Sequence, residues 1–518
     1  MPVRTLSAAD LPDDADVLKR MLLGQAEAYE RELALLREQL NLALAKRYGR
    51  SSEKLPGPAQ LGLFNEAEAA AAASGAEEEP VPESGIAVTA HQRQRGKRQP
   101  LPDYLPRARI EHDLPEDEKT CPCGCTLTRI AEEISEQLDV IPAQVRVLQH
   151  VRIKYACKAC EETIRTAGLP PQPLPKSNAS PGLLAHIAVA KYQDALPLAR
   201  QEQILQRAGI DIPRATTVRW MIQLGEAIAP LIERLRRELL AYDIVQMDET
   251  RIQVLKEDGR DPSSQSYMWV QRGGPPQRPV ILFHYHPSRG QDPAAELLAG
   301  YRGYLQSDGF EVYGAIAAKS PAIRLIGCFA HARRKFDEAH KGQGKQRKAG
   351  KAKQALDWIA RLYAIEKALK DLNPEARHTQ RQIKARPILD EIHAWLERSL
   401  PEVPPSTLTG KALTYLHNQW PRLIGYLEDG RLQIDNNSCE RAIRPFVIGR
   451  RNWLFSDTPA GANASANLYS IIETAKANGH EPYRYLRHLF TTLPAPNCHE
   501  DIDALLPTRL KSEDVPAP

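Results

Sequence analysis

The spacing of apolar and polar positions changes several times along the chain, and each change predicts a boundary. Over residues 17–48, Leu22, Ala26, Tyr29, Leu33, Leu36, Leu40 and Ala43 recur at alternating four- and three-residue steps among Glu, Arg and Gln. That spacing predicts a leucine-rich coiled-coil helix that pairs with a second copy; the alternative is one amphipathic helix lying on its own domain. Periodicity then lapses over 49–106, which is polar, alanine-rich and interrupted by Pro and Gly, and so reads as a largely flexible linker. Within 107–175, alternating β-branched stretches such as "VRVLQHVRIKY" predict hairpins. From Leu183 the spacing becomes helical in "LLAHIAVAKYQ", "PLARQEQILQRAGI" and "PRATTVRWMIQLGEAI". Residues 176–240 are therefore expected to be helical, with Gly209 ending the second helix and Pro213, Thr216 and Thr217 opening the third.

The next part, 241–340, carries the strand-like runs "IVQMDETRIQV", "SYMWVQRG", "PVILFHYH", "GYLQSDG" and "RLIGCFAH". The first three suit an antiparallel meander. The other two alternate with helical segments around "DPAAELLAGY" and "FEVYGAIAA", so a mixed sheet with helices against it is expected. The whole reads as a multidomain α+β protein.

Composition adds limits. At 518 residues the chain is too long for one core. It has no apolar run of about 18 residues to span a bilayer. The start, "MPVRTLSAADLPDDADVLKR", lacks a basic segment followed by an apolar one, so the expected compartment is the cytoplasm. A net charge of +4 says little by itself, but basic clusters such as "HQRQRGKRQP" and "KGQGKQRKAGKAK" could meet phosphates or simply be solvated.

Five of the eight cysteines fall between Cys121 and Cys160, in "CPCGC" and "CKAC". Two such knuckles can present four thiolates to a structural Zn²⁺. Cys157 and Cys160 form the second; Cys121 with either Cys123 or Cys125 would complete the first. Free buried thiols are the alternative. The third helix of 176–240 could be the recognition helix of a helix-turn-helix-like DNA-binding domain, presenting Arg214, Thr216, Thr217 and Arg219 to DNA, unless the segment is a plain trihelical bundle.

The remaining chemistry lies in carboxylates. Asp248 shares a strand face with Ile244, Ile252 and Val254, and Asp308 ends the fourth run. If those strands are neighbours, the two carboxylates meet and repel unless a cation such as Mg²⁺ lies between them. A solvated strand centre and a turn-starting Asp are the plainer readings. A third carboxylate could come from "QIDNNSCERAIRPFVIGRRNWLF": Asp435 caps a helix, Pro445 limits it, and Glu440 projects from its middle. A surface pair between Glu440 and Arg444 is the alternative, and Glu473 in "LYSIIETAKANG" competes for the role.

Taken in order, "QMDET", "LQSDGFEVY", "GCFAHARRKF", "DNNSCERAIRPFVIGRRNWLF" and "SIIETAKANGHEPYRYL" resemble the motifs of insertion-sequence-66 family transposases, bacterial DDE enzymes, and the likeness runs nearly the length of the chain. The resemblance implies an RNase H-like catalytic core in two parts, 241–340 and 431–495, separated by a helical insertion at 341–430 and followed by a C-terminal tail at 496–518. It implies Asp248, Asp308 and Glu440 as a triad for Mg²⁺ or Mn²⁺, and DNA, both element ends and target, as the partner. A homo-oligomer, at least a dimer on DNA, and small accessory proteins encoded beside it follow from the same likeness. Two features depart from the family pattern: the first cysteine knuckle is compressed, and Thr508 stands where an aromatic residue is usual.

In such an enzyme Arg441, Arg444, Arg450 and Arg451 would clamp phosphates and Trp453 would stack on a base, with His331, Arg333 and Arg334 as further DNA contacts. Each is equally compatible with a surface charge or packed side chain. Two rival activities use the same residues: a DNA-binding regulator that has lost catalysis, and a nuclease that cuts without joining.

Overall fold

The computed structural model describes residues 14–48, 107–110, 113, 122, 135, 137, 145–156, 164–344, 350–493, 499–511, 513 and 515. The chain divides into a unit of residues 1–70 and 150–518 and a unit of 71–149. Among the described residues of the second unit none lies in a helix or strand. Cys121, Cys123, Cys125, Cys157 and Cys160 all fall outside the described residues; the last two stand in sequence between β1 (Lys154–Ala156) and β2 (Ile164–Thr166), an antiparallel pair.

The first helix, α1 (Ala15–Tyr48), contains no buried residue, and Leu22, Leu33, Leu36 and Leu40 are exposed along it. Four helices follow: α2 (Pro181–Tyr192), α3 (Leu198–Arg207), α4 (Arg214–Ala227) and α5 (Ala229–Leu240). α2 starts cleanly because Ser180 accepts the Leu183 N–H and proline occupies its first turn.

The central sheet contains β3 (Ile244–Gln253), β4 (Gln265–Gly273), β5 (Val280–His286), β6 (Gly303–Gln306) and β7 (Ile323–Ile326), in spatial order β5-β4-β3-β6-β7. The first three form the expected antiparallel meander, and β6 and β7 add parallel to β3. Helices α6 (Gln291–Leu297) and α7 (Glu311–Lys319) make the crossovers. Met268, Trp269 and Val270 of β4 and Val280 to Phe283 of β5 are buried in succession, the pattern of strands covered on both faces.

The edge of β5 would expose unpaired main-chain groups, and α14 (Pro459–Ala477) covers it. Ser470 Oγ accepts the Phe283 N–H at 2.7 Å, and Thr474 Oγ1 accepts the Ile281 N–H at 3.0 Å and donates to the Ile281 carbonyl at 2.8 Å. α14 also passes so close to α4 that a Cβ on Gly225 would stand 2.5 Å from Ala464 Cα. As a result one hydrophobic core contains side chains from Leu174 to Leu506.

A second core spans Ile326 to Ile434. It is built by α8 (Phe329–Gly342), α9 (Lys351–Ala368), α11 (Arg386–Ser399), α12 (Leu408–Leu423) and a 3₁₀ turn at Ile424–Leu427, with α10 (Pro374–Lys384) connecting α9 to α11. Arg381, 1 % exposed, ties this part together: its guanidinium binds Glu366 at 2.6 Å and donates to the carbonyls of Tyr426, Asp429 and Leu432. The chain then returns to the sheet through α13 (Asn437–Trp453), and α15 (Pro482–Thr492) and α16 (His499–Ala504) complete the fold.

Candidate metal and active site

Strands β3 and β6 are in register at Ile244↔Tyr304, Val245↔Leu305 and Gln246↔Gln306, and pair no further. Asp248 and Asp308 each lie two residues beyond the last pair, Asp248 still within β3 and Asp308 just past the end of β6, close enough for the Asp308 charge to act on Asp248. Beneath them Gln246 Nε2 donates to Gln306 Oε1 at 2.9 Å, and Gln306 Nε2 donates to the Gln433 carbonyl at 2.6 Å. β3 remains paired with β4 opposite Asp248, at Val270, which holds that carboxylate on a rigid strand. Asp308 is fixed by the Phe310 N–H at 3.0 Å, just before α7.

Glu440 arrives from far along the sequence, and a polar frame positions it. Asn436 Nδ2 donates to the Met247 carbonyl at 2.9 Å, and the Asn436 N–H donates to Cys328 Sγ at 3.2 Å. Asp435 accepts the Asn437 N–H at 3.1 Å and the Tyr363 hydroxyl at 2.8 Å. These bonds fix the start of α13 against β3 and α8. The helix does not stop at Pro445, as expected from sequence; it continues through it to Trp453, and Glu440 sits in its first turn rather than its middle. Packing of Ala442, Ile443 and Phe446 into the core carries the helix past the proline.

Electrostatics ties the three carboxylates together. Partial burial pushes the Asp248 carboxyl well above its ordinary range, and the charges of Glu249, Glu440 and Asp308 push it further. Glu440 is raised by burial, opposed by Arg334 and reinforced by Asp435 and Asp308. Among the described residues its Oε1 is buried without a hydrogen-bond partner; so is His331 Nδ1, 3.8 Å away. Arg334 stands 3.9 Å from Glu440 Oε2. Burial, then Arg334, lowers the His331 imidazole to about 4, so it is neutral at physiological pH. Donor atoms of Cys328, His331 and Glu440 all lie within 4.8 Å of one another. Crowded carboxylates with an orphaned buried oxygen are a donor set that fits a divalent cation.

Two other buried carboxylates behave differently. Glu249, on the opposite face of β3, accepts Arg289 at 2.5 and 2.8 Å and the Tyr313 hydroxyl at 2.8 Å. The sequence reading missed this group; the alternation of β3 was the available signal, since it turns Glu249 to the opposite face from Asp248, but nothing identified Arg289 or Tyr313 as partners. Glu473 is bound by Lys476 at 2.9 Å and lines a cavity with Arg272, Ser438 and Arg441. Burial raises it and Lys476 opposes the rise, with no contribution from Asp248, Asp308 or Glu440.

The expected DNA contacts are scattered in their surroundings. Arg214 and Arg219 are exposed and Thr216 half-buried, but Thr217 is buried and donates its hydroxyl to the Arg214 carbonyl at 2.9 Å. Arg441 and Arg451 are exposed, while Arg333, Arg334 and Arg444 are half-buried. Arg450 turns back onto β3, donating to Thr250 Oγ1 at 3.1 Å and to the Arg251 carbonyl. Trp453 packs edge-on against Phe446 at 5.6 Å, with Lys191 over its ring. His331 faces Glu440.

A mixed α/β core with distant carboxylates gathered beside its central strand, preceded by a helical segment and a cysteine-rich one, defines the class of molecule. Comparison with known proteins gives the family. The profile described as Transposase IS66 family matches residues 176–464, and those of the zinc-finger binding domain of transposase IS66, Transposase C of IS166 homeodomain and the IS66 C-terminal element match 118–161, 35–110 and 470–508. The chain belongs to the IS66 transposase family. It is similar to the uncharacterized protein y4qI of Sinorhizobium fredii, 30% identical over an aligned length of 557 positions, gaps included, that covers 98% of this chain and 99% of that protein. The uncharacterized protein y4jD of the same organism is 31% identical over 428 residues, covering 80% and 82%.

Proposed function

We propose that this protein binds the ends of a bacterial insertion sequence and catalyses DNA strand cleavage and strand transfer, with Asp248, Asp308 and Glu440 as its metal-holding carboxylates. The observation that carries the reading is the convergence of these three groups, in which Glu440 and Asp308 both raise Asp248 and Asp308 also raises Glu440, around a buried Glu440 oxygen that has no partner among the described residues. The strand order, an antiparallel meander whose first strand pairs in parallel with β6, which pairs in parallel with β7, supports an RNase H-like core.

Mg²⁺ or Mn²⁺ held by Asp248, Asp308 and Glu440 would supply Lewis acidity and lower the pKa of an attacking water. The protein's part is positional. The β3–β4 ladder keeps Asp248 rigid, the Phe310 N–H aims Asp308, and the Asn436 frame delivers Glu440. In the first step water attacks a phosphodiester and releases a 3′-hydroxyl at the element end. In the second that hydroxyl attacks a target phosphodiester and displaces its 3′-oxygen, so no covalent bond to the protein is formed. Exposed Arg441 and Arg451 are suited to phosphates beside the site, and Arg214 and Arg219 to DNA along α4.

Four of Cys121, Cys123, Cys125, Cys157 and Cys160 hold structural zinc in this reading, within the segment that matches the zinc-finger profile. The uncovered leucines of α1 support pairing of subunits, which brings two ends together. Small accessory proteins complete the proposed machinery.

The test is joining of a labelled element-end duplex to plasmid DNA with Mg²⁺, comparing the native chain with Asp248→Asn, Asp308→Asn and Glu440→Gln. Joined products that vanish in all three variants, while end binding persists, are expected. Cutting without joining would point instead to a nuclease. End binding without cutting, even with accessory proteins added, would leave a regulator.

A further inference from the structure

His331 was expected at the DNA, yet its ring is turned into the carboxylate cluster, where two buried polar atoms lack partners among the described residues and face each other: His331 Nδ1 and Glu440 Oε1, 3.8 Å apart. That distance is too long for a hydrogen bond. It is close to what two ligands of one ion require, since donors about 2.1 Å from a metal stand about 3 Å apart at right angles and about 4.2 Å apart when opposite. Cys328, the third member of the group, already has work to do: its sulfur accepts the Asn436 N–H that locks the start of α13 in place. The nitrogen and the carboxylate oxygen are the pair left open.

We infer that His331 is a nitrogen ligand of the ion held by Glu440. This rests on the metal-holding role proposed for Asp248, Asp308 and Glu440. The consequence is selectivity. An all-oxygen site accepts Mg²⁺ and Mn²⁺ alike, whereas an imidazole nitrogen suits a transition-metal ion better than Mg²⁺, so of these two the site prefers Mn²⁺. The ring is aimed by its place in the first turn of α8, which follows directly from β7 and is anchored where the Phe329 N–H donates to the Ile434 carbonyl at 3.1 Å.

The experiment is Mn²⁺ binding to the full chain, followed by pulsed electron paramagnetic resonance, which detects a nitrogen nucleus bonded to the ion independently of turnover. The native protein is expected to show ¹⁴N modulation from one imidazole. His331→Gln and His331→Asn are expected to keep bound Mn²⁺, lose the modulation and weaken Mn²⁺ at least about tenfold, with a smaller change for Mg²⁺. Two variants with the native melting profile guard against a folding artefact. Asp248→Asn separates the two levels of argument. If it removes the bound Mn²⁺ but the native chain shows no ¹⁴N modulation, or if both His331 variants retain it, His331 is not a ligand although the carboxylate site stands. If Mn²⁺ does not bind the native chain, or binds Asp248→Asn equally well, the carboxylate site itself is wrong and the inference falls with it.

Discussion

Asp248 and Glu249 are neighbours on one strand, and their surroundings are opposite. On the Glu249 face Arg289 and Tyr313 supply a cation and a hydroxyl, so the buried charge is satisfied by the protein. On the Asp248 face, among the described residues, the hydrogen bonds that Asp248 and Asp308 accept from nitrogen are main-chain ones, from Glu249 and Phe310, and a third carboxylate is brought close. A fold that needed only stability would have no reason to gather like charges there. The contrast separates carboxylates that complete the structure from carboxylates that await a cation, and Glu473, bound by Lys476, falls with the first kind.

The sharpest way to break this distinction is to exchange helical carboxylates. Glu440→Gln should reduce strand joining by at least about a thousandfold, whereas Glu473→Gln should leave it standing. The reverse result in the plasmid-joining assay would move the third ligand to α14. Next in size is Glu249→Gln, which keeps one acceptor oxygen for Arg289 but removes its countercharge and replaces the oxygen that accepts the Tyr313 hydroxyl with an amide donor. A loss of about 1–3 kcal/mol in urea unfolding is expected, the lower part of the range because the Arg289 side chain is 40% exposed. Mn²⁺ affinity should fall only slightly, through the lost Glu249 charge near Asp248; a collapse of affinity without loss of stability would place Glu249 in the metal site.

Asn436→Ala tests the frame rather than the ligands. It removes the bond to the Met247 carbonyl and should cost about 1–2 kcal/mol. Because Glu440 loses its positioning, joining should require more Mn²⁺, a shift that merely structural damage elsewhere would not produce. Unchanged metal dependence in a titration of the joining rate would mean that α13 is held by its apolar face alone.

How much of this could be read from residues varied with the distance over which each feature is determined. The meander and the two added strands were visible because alternation and turn residues are local. Asp248 and Asp308 could be matched because one sits within an apolar run and the other ends one, and parallel pairing then needs only a register. Thr217 was equally legible: it shares the 217, 220, 221, 224 spacing with Trp220, Met221 and Leu224, which marks it as buried, although it was assigned to DNA. Pro445 was misread because the local rule for proline ignores the tertiary packing that carries α13 onward. The Asn436 frame, the turning of Arg450 onto β3 and the cover of the β5 edge by Ser470 and Thr474 join residues nearly two hundred positions apart, and no local pattern encodes such partners.

The smallest effect expected is on the stability of the metal-free chain, and its sign is the informative part. Asp248 holds its proton to a higher pH folded than unfolded, where the ordinary value is 3.8. The folded state therefore binds more protons over the interval between those two values, and this group's contribution to stability is lost as pH rises through it. Asp248→Asn removes the charge, so without metal at pH 7 it should melt above the native chain, by about 2–4 °C for each kcal/mol of relieved repulsion. Its advantage should shrink as pH falls toward the ordinary carboxylate range, where the native side chain is protonated. Adding Mg²⁺ should reverse the order, because a ligand of the folded state stabilises only the protein that binds it. Melting curves at several pH values, with and without Mg²⁺, check all three statements. A variant that melts below the native chain at pH 7 without metal would show that the protein already satisfies the Asp248 charge, and the two faces of β3 would then differ in partners but not in purpose.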